Sequence, residues 1–468
     1  FTMLSSMTHE DDPNPVPPSP GADPRPDGAG EISGSRPDLG ADAEAPPLVI
    51  EKPNHSISRR DVDPDALGII HRLHRFGFRA YLTGGAVRDM MLGRTPKDFD
   101  VVTDARPGQI RKRFANCFII GRRFRLAHIR FREGKIIEVA TFRRVPDRGE
   151  EVPPGAPVDP SLIYGTPRED AFRRDITINA LFYDPDEDLI LDYVGGVEDL
   201  KRGVVRVIGD PAVRFAEDPV RVWRVLRHAA RLGFRVDAGT EREIPAQNDL
   251  LAACSGARLF EELNKDLAYE TRPVFGALRS HGLLGVILGK AGRAYESDPA
   301  LFGRLDGLLD VEDRFRRAEL KLSPEEMYAL IFWPWVEPLF GEGKPDDYHT
   351  ILYEMFDQAG MKVTIPRKLK ADLVQLLTIL GAASRALRTG RMRWSLAKRS
   401  HFGQAGRLGY LILKERPPQP GETLESLIRE SLSGLAPEDR TARKRKRRRR
   451  RKPREGEGRP PGGEPASR

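Results

Sequence analysis

The chain is poor in cysteine: Cys117 and Cys254 are the only two in 468 residues. Two thiols so far apart in sequence form neither a zinc-ligand spacing nor a disulfide framework. Stapled extracellular scaffolds and zinc modules are thereby excluded, and a reducing, cytoplasmic setting is expected. No apolar run reaches membrane-spanning length, and the first residues lack a basic-then-apolar targeting pattern, so no transmembrane segment is expected. No internal repeat recurs. A Gly-Lys-Ser/Thr phosphate loop and a dinucleotide fingerprint are both missing, so any nucleotide must be held in another way.

What the chain has in excess is positive charge. The formal net charge is +8 and the sequence pI about 9.4, which favours a polyanionic partner. Much of it sits in residues 443–454, where every residue but Pro453 is arginine or lysine. Self-repulsion keeps such a block out of a packed core, and it should bind phosphate backbones without sequence preference. The duller alternative is a solvated extension with no specific contact. At the other end, residues 1–48 are rich in Pro, Gly and Asp and read as disordered.

Between these ends the patterning changes once. Leu67, Ile70, Leu73 and Phe76 make one helical face after an acidic first turn, with Gly77 as the expected cap. Short strands are expected at Arg79–Leu82, Asp98–Val102, Cys117–Ile120, Ala127–Phe131, Ile136–Phe142, Ile176–Tyr183 and Leu189–Tyr193. Helices are expected over 86–92 and 107–115. Residues 146–167, rich in Pro, Gly and Glu, read as a mobile excursion. From about residue 211 the period becomes helical, with segments over 219–232, 255–270 and 273–281 and more to about 413. The expected fold class is α+β: a mixed head followed by a helical region.

The chemistry-bearing residues concentrate in the run Leu82-Thr-Gly-Gly-Ala-Val-Arg-Asp to Asp98-Phe-Asp100. On a strand, Asp98 and Asp100 would face one side, roughly 6.5–7 Å apart. Two carboxylates so placed are relieved by a divalent cation, and hard oxygen ligands suit Mg²⁺ completed by substrate phosphates. Gly84 and Gly85 permit close approach of backbone N–H groups to phosphate, and Arg88 is placed either to reach a phosphate or to pair with Asp89. Glu138 interrupts an apolar strand, where an acid is expensive unless paired or metal-bound. It is either a third metal ligand or a salt-bridge partner. Asp175, after Arg173 and Arg174, orients an arginine, closes a turn or joins the metal site.

Taken together, the run from Leu82 to Asp100, Arg174-Asp-Ile-Thr-Ile-Asn-Ala-Leu181, Asp192-Tyr-Val-Gly-Gly-Val-Glu-Asp-Leu200, Arg206-Val-Ile-Gly-Asp-Pro211 and Glu217-Asp-Pro-Val-Arg221 resemble the class II tRNA nucleotidyltransferase and bacterial poly(A) polymerase family. The matches keep family order from about residue 60 to 270. The resemblance implies a polymerase-β-like nucleotidyltransferase head (60–205), a helical neck with a nucleotide-selection motif (206–275), a helical body and RNA-binding region (276–413), and a linker with a basic tail (414–468). It implies Asp98, Asp100 and Asp175 as catalytic residues, with Mg²⁺, in a two-ion arrangement, held by Asp98, Asp100 and Glu138. Gly84, Gly85, Arg88, Arg174, Asp218, Arg221 and Arg224 would bind the nucleotide, with ATP as substrate. Within the neck motif, Asp218 and Arg221 would present hydrogen-bonding edges to the incoming base. Read without the family, Glu217–Arg221 is only a helix start with an i,i+3 Asp–Arg pair. Two residues depart from the family pattern: Ile176 stands where Phe is usual, and Trp223 either packs the helix or reshapes the base pocket.

The head motifs serve both family branches, which add either a poly(A) tail or a CCA end. Residues 117–143, the excursion before Arg173 and the basic tail resemble the polymerase branch. Arg122, Arg123 and Arg125 read equally as loop solvation or as phosphate contacts, and His128 as a hydrogen-bonding rather than a catalytic group. The expected partners are therefore ATP and the 3′ ends of mRNA and other transcripts, with RNA-decay proteins implied by a role in RNA turnover. CCA addition to tRNA is the alternative, and an RNA-binding protein with a vestigial head is the reading from a different class.

Overall fold

In the computed structural model, residues 46–121, 125–145, 163–341, 347–389 and 398–414 are described, with 391–392, 396 and 436–437. The expectations for residues 1–45, Arg122, Arg123, 146–162 and the 443–454 block lie outside the described residues. Within them, the head is built on eight strands: β1 (Leu48–Glu51), β2 (Ala80–Thr83), β3 (Asp100–Thr103), β4 (Cys117–Ile120), β5 (Leu126–Arg130), β6 (Ile136–Thr141), β7 (Leu181–Asp184) and β8 (Leu189–Asp192). They lie side by side in the order β1-β8-β7-β2-β3-β6-β5-β4. Only β3 and β6 run parallel, so the chain must cross over between them, and every other neighbouring pair is antiparallel.

Alternation along the strands divides the sheet into two faces. Leu82, Val101, Ile129, Val139, Tyr183 and Ile190 join the core that includes Ile69, Ile70 and Leu73 of the helix Pro64–Arg75. Asp63 caps this helix by accepting from the Asp65 and Ala66 amides, and Gly77 at φ +79° follows its C-cap Phe76. Phe76 itself remains exposed rather than completing the apolar face. The opposite sheet face carries Val102, Phe142, Phe182 and Tyr81. Phe142 and Phe182 meet edge-on at 6.1 Å, and this aromatic layer stops at the end of the sheet where Asp100 and Glu138 begin.

Several expected elements differ. β3 begins at Asp100, so Asp98 is not on a strand and does not share a pleat with it. On one side the reason is local: Asp100 pairs with Thr83, the last residue of β2, and Gly84 then turns away at φ +73°, leaving Asp98 no β2 residue to pair with. The expected strand Ile176–Tyr183 is interrupted by a 3₁₀ turn, Thr177–Asn179. Its amide and hydroxyl are drawn out of the ladder, since the Thr177 N–H donates to the Arg206 carbonyl and Oγ1 to Asp199 at 2.7 Å. The excursion ends earlier than expected. Thr166 and Glu169 form a reciprocal cap that starts the helix Pro167–Phe172. Strand β1 was not expected at all.

After the head, the helix Pro211–Glu217 meets the helix Val220–Leu232 at Asp218. The following helices include Gly256–Leu267, Arg272–Ser280, Pro299–Arg317, Pro324–Val336, Arg367–Thr389 and Phe402–Lys414. Their central member, Pro324–Val336, is buried over all of Met327–Pro334, as expected of a helix apolar on every side. Among the described residues no helix is long and apolar enough to cross a membrane. The expected α+β head with a helical region behind it is what the chain forms.

Candidate active site

The site grows from one row across the sheet. Thr83 on β2, Asp100 on β3, Glu138 on β6 and His128 on β5 are successive register partners. Adjacent strands are roughly 4.8 Å apart, so Asp100 and Glu138 face one side as near neighbours. Crowding of protein around Asp100, which solvent still reaches, followed by the charges of Glu138 and Asp98, pushes its carboxyl up to about 6 against the lowering effect of Arg174. Glu138 turns its excess charge toward His128, 3.3 Å away, so the histidine serves as a partner to this acid.

Asp98 and Asp100 accept no hydrogen bond and form no ion pair among the described residues, whereas the other head acids Asp170, Asp175, Asp192 and Asp199 are all bonded. Two free, mutually repelling carboxylates are a suitable donor set for a hard divalent ion that takes its remaining oxygens from phosphates. Among the described residues, however, no three His, Cys, Asp or Glu side chains converge closely enough to hold a metal. The expected three-carboxylate cluster is thus not assembled; Glu138 stands beside Asp100 but is engaged by His128.

Gly84 forms the opposite wall. Its backbone at φ 73°, ψ −139° belongs to a region open essentially to glycine, and a Cβ there would lie 3.7 Å from both Asp100 Oδ2 and Arg174 Nη1. Backbone, carboxylate and guanidinium therefore face one small space. Arg174 is fixed from behind: Nε donates to Asp170 at 3.0 Å and Nη1 to the Asn179 carbonyl at 3.0 Å. Asp170 is fully buried and also receives Arg173 at 2.6 Å. Burial works to raise this carboxyl, but Arg174 and Arg173, with the Arg143 amide, hold it below the usual carboxylate range.

Arg88 takes the second of the two roles open to it. It is buried, donates to Asp89 at 2.9 Å and to Asn179 Oδ1 at 2.7 Å, and packs against Gly85, whose Cβ would sit 3.4 Å from Nη2. Asn179 also meets His228 Nε2 at 3.4 Å. Burial and the Arg88 charge push His228 down to about 3, so the imidazole is neutral at any working pH. Asp175 orients an arginine. Its Oδ2 lies 2.8 Å from Arg224, its Oδ1 accepts from the Ile176 amide, and the Arg224 charge, with that amide, holds it below the ordinary range despite burial.

The neck motif pairs differently from the simple i,i+3 expectation. Arg221 bonds Glu217 at 3.0 Å, while Asp218 pairs with Arg258 of the helix Gly256–Leu267 at 2.6 Å. Trp223 is a packing residue. It is fully buried and donates Nε1 to Asp266 at 2.5 Å. Four residues that hold the site together were not singled out from sequence: Asp170, Asn179, Arg214 and His228. Arg214 donates to the carbonyls of both Arg173 and Arg174, at 2.8 and 3.0 Å. Asn179 lay in a motif already noted, where its polar side chain on an apolar segment was the available signal. Asp170 and Arg214 offered i,i+3 and i,i+4 charge pairs with Arg173, Arg174 and Glu217 as a signal, and His228 offered none.

Comparison with known proteins identifies relatives of the chain. Residues 80–206 match the poly A polymerase head domain, and residues 233–291 match the probable RNA and SrmB-binding site of polymerase A. Poly(A) polymerase I of Salmonella typhi is 37% identical over 380 residues, covering 76% of this chain and 80% of the relative. The Haemophilus influenzae poly(A) polymerase I is 36% identical over 360 residues, with 72% and 79% covered. The CCA-adding enzyme of Bacillus pumilus is 38% identical over only 200 residues, 43% of this chain and 48% of that one. In fold, the Bacillus stearothermophilus CCA-adding enzyme crystallised with CTP superposes with a TM-score of 0.56 at 24% identity, covering 80% of this chain and 84% of the other. The chain belongs to the class II nucleotidyltransferase family that contains bacterial poly(A) polymerase I and the CCA-adding enzymes.

Proposed function

We propose that the protein adds adenylate residues to RNA 3′ ends, transferring AMP from ATP to a terminal 3′-hydroxyl with release of pyrophosphate. The observation that carries this choice of branch is coverage. The poly(A) polymerase relatives align over about four-fifths of their length, the Bacillus pumilus CCA-adding enzyme over about half. CCA addition remains the second reading, because the head serves both.

In this account the triphosphate lies between the Gly84 backbone and Arg174, whose guanidinium is aimed by Asp170 and Asn179. Asp98 and Asp100 would hold Mg²⁺, which supplies Lewis-acid activation of the hydroxyl and charge neutralisation at the leaving pyrophosphate. Arg174 places positive charge where the phosphates accumulate negative charge, and its tether removes the entropy of finding them. Arg224, held by Asp175, and the Asp218–Arg221 segment lie at the start of the neck and present donors and acceptors to the base. Arg88 and neutral His228 position Asn179, which sets the angle of Arg174.

Separate incubation with each labelled nucleoside triphosphate, on a short generic RNA and on tRNA lacking its CCA end, tests this function. Incorporation of adenylate on the generic RNA supports it. Incorporation confined to tRNA and requiring CTP contradicts it. Asp100→Asn should abolish incorporation while leaving RNA binding close to normal.

A further inference from the structure

The row that carries Asp100 and Glu138 does not end at His128. Register pairing continues it to Phe118 on β4, so Asp100, Glu138, His128 and Phe118 share one face of the sheet. Alternation along β4 and β5 puts Ile120 and Arg130 on that same face, while Cys117, Ala127 and Ile129 turn into the core on the other side. The aromatic core on the Asp100 face, built around Phe142 and Phe182, draws no residue from β4 or β5. This outer part of the face is therefore open. Phe118 is 49% exposed and Ile120 45%, and among the described residues no strand pairs with the outer edge of β4.

Two large apolar side chains on the outward face of an edge strand invite association unless something covers them. Their companion is a cation. The exposed Arg130 guanidinium lies 4.7 Å from the centroid of the Phe118 ring, and it forms no ion pair with an acid among the described residues. An open ring beside a free guanidinium is what a single-stranded nucleic acid uses: a π-face for a base and a positive charge for the phosphate next to it. A protein strand added to the β4 edge would be held by backbone hydrogen bonds and would have no use for the cation on the ring.

We propose that Phe118, flanked by Ile120 and Arg130, is a stacking platform for a base of the RNA strand a few nucleotides behind its 3′ end, with Arg130 meeting the adjacent phosphate. This rests on the function proposed above. The two sides of Asp100 differ. Gly84 and Arg174 take the triphosphate on the β2 side, which leaves β6, β5 and β4 for the strand whose 3′-hydroxyl must reach Asp100. Three strand spacings of roughly 4.8 Å separate Asp100 from Phe118, about 14 Å in all, the rise of about four stacked nucleotides. Stacking does not read the base, so it tolerates a strand that advances by one nucleotide after each addition.

The test uses the full chain with oligoadenylate primers, in equilibrium binding and in adenylate incorporation, and compares Phe118→Ala, Phe118→Trp and Arg130→Gln with the parent. Phe118→Ala should weaken primer binding and raise the KM for primer at least about five-fold with the KM for ATP unchanged, whereas Phe118→Trp should keep or improve both. Arg130→Gln should flatten the salt dependence of primer binding by roughly 0.7 in the log–log slope, as for one lost phosphate contact on a single strand. Primers with one abasic nucleotide at successive positions locate the base: the parent should be sensitive at one position, and Phe118→Ala should not be. If Phe118→Ala folds poorly, Phe118→Trp, Arg130→Gln and the abasic series on the parent still report. Unchanged primer binding in Phe118→Ala, a rise in the KM for ATP alone, or a change in oligomeric state without a change in RNA affinity rejects the platform. Failure of the parent to extend any generic RNA would overturn the proposed function rather than the platform, which primer binding tests on its own.

Discussion

Asp170 has no part in bond making in this account, yet it decides where Arg174 points. Its carboxylate is fully buried between two guanidinium groups, so removing its charge strands both of them. Asp170→Asn should cost about 3–5 kcal/mol of stability, as for other broken buried pairs, and should lower kcat/KM for ATP by loosening Arg174. Chemical unfolding and steady-state kinetics on the same variant measure both. The pH dependence follows from the sign of the shift. The folded carboxyl lies below its unfolded value, so its stabilisation is fully present above about pH 4 and fades as pH falls through the lowered folded value. Asp170→Asn should therefore lose stability mainly above pH 4 and show a shallower acid limb. An acid limb unchanged from the parent would show that Asp170 is not the group titrating there.

The segments that carry chemistry sit where regular structure ends, and that explains what the sequence disclosed. Strands β2, β4, β5 and β6 were legible to within a residue or two, because alternating apolar side chains and flanking turns leave a local signature. The Asp98 strand and the Ile176–Tyr183 strand were overextended. Both stop where long-range contacts take over, namely the turn at Gly84 and the Thr177 bonds to Arg206 and Asp199. Of the candidate site, Gly84, Asp98 and Asp100 were legible as a motif. The supports Arg214 and His228 were not, because their partners are distant in sequence, as in the Arg214 bond to the Arg173 carbonyl 41 residues away; Asp170 does have local partners, Arg173 and Arg174, but sits at the end of the stretch read as an excursion. Gly84 allows a test at this scale. Gly84→Ala should destabilise by about 1–3 kcal/mol through backbone strain, and its methyl group would enter the space between Asp100 and Arg174. A lowered melting temperature together with a raised KM for ATP is the expected outcome. A raised KM with an unchanged melting temperature would place the effect in the site alone.

Across the whole molecule, a head with free carboxylates is joined to a helical region through Arg214, which donates to the Arg173 and Arg174 carbonyls, and through the Arg224–Asp175 ion pair. The arginine- and lysine-rich block at 443–454 is expected to add a sequence-blind attraction for phosphate backbones. Deletion of residues 443–468 should weaken RNA binding and reduce its salt dependence while leaving adenylate incorporation at saturating RNA close to that of the full chain. An unchanged salt slope, read by titration over several salt concentrations, would reject a role for the tail in RNA binding. The central claim is that this site adds adenylate repeatedly to RNA without a template. Sequencing the 3′ extensions made on a generic RNA, with all four nucleoside triphosphates present, tests it most directly. The account predicts adenosine tails of varied length; extensions that stop after cytidine, cytidine and adenosine, formed only on tRNA, would contradict it.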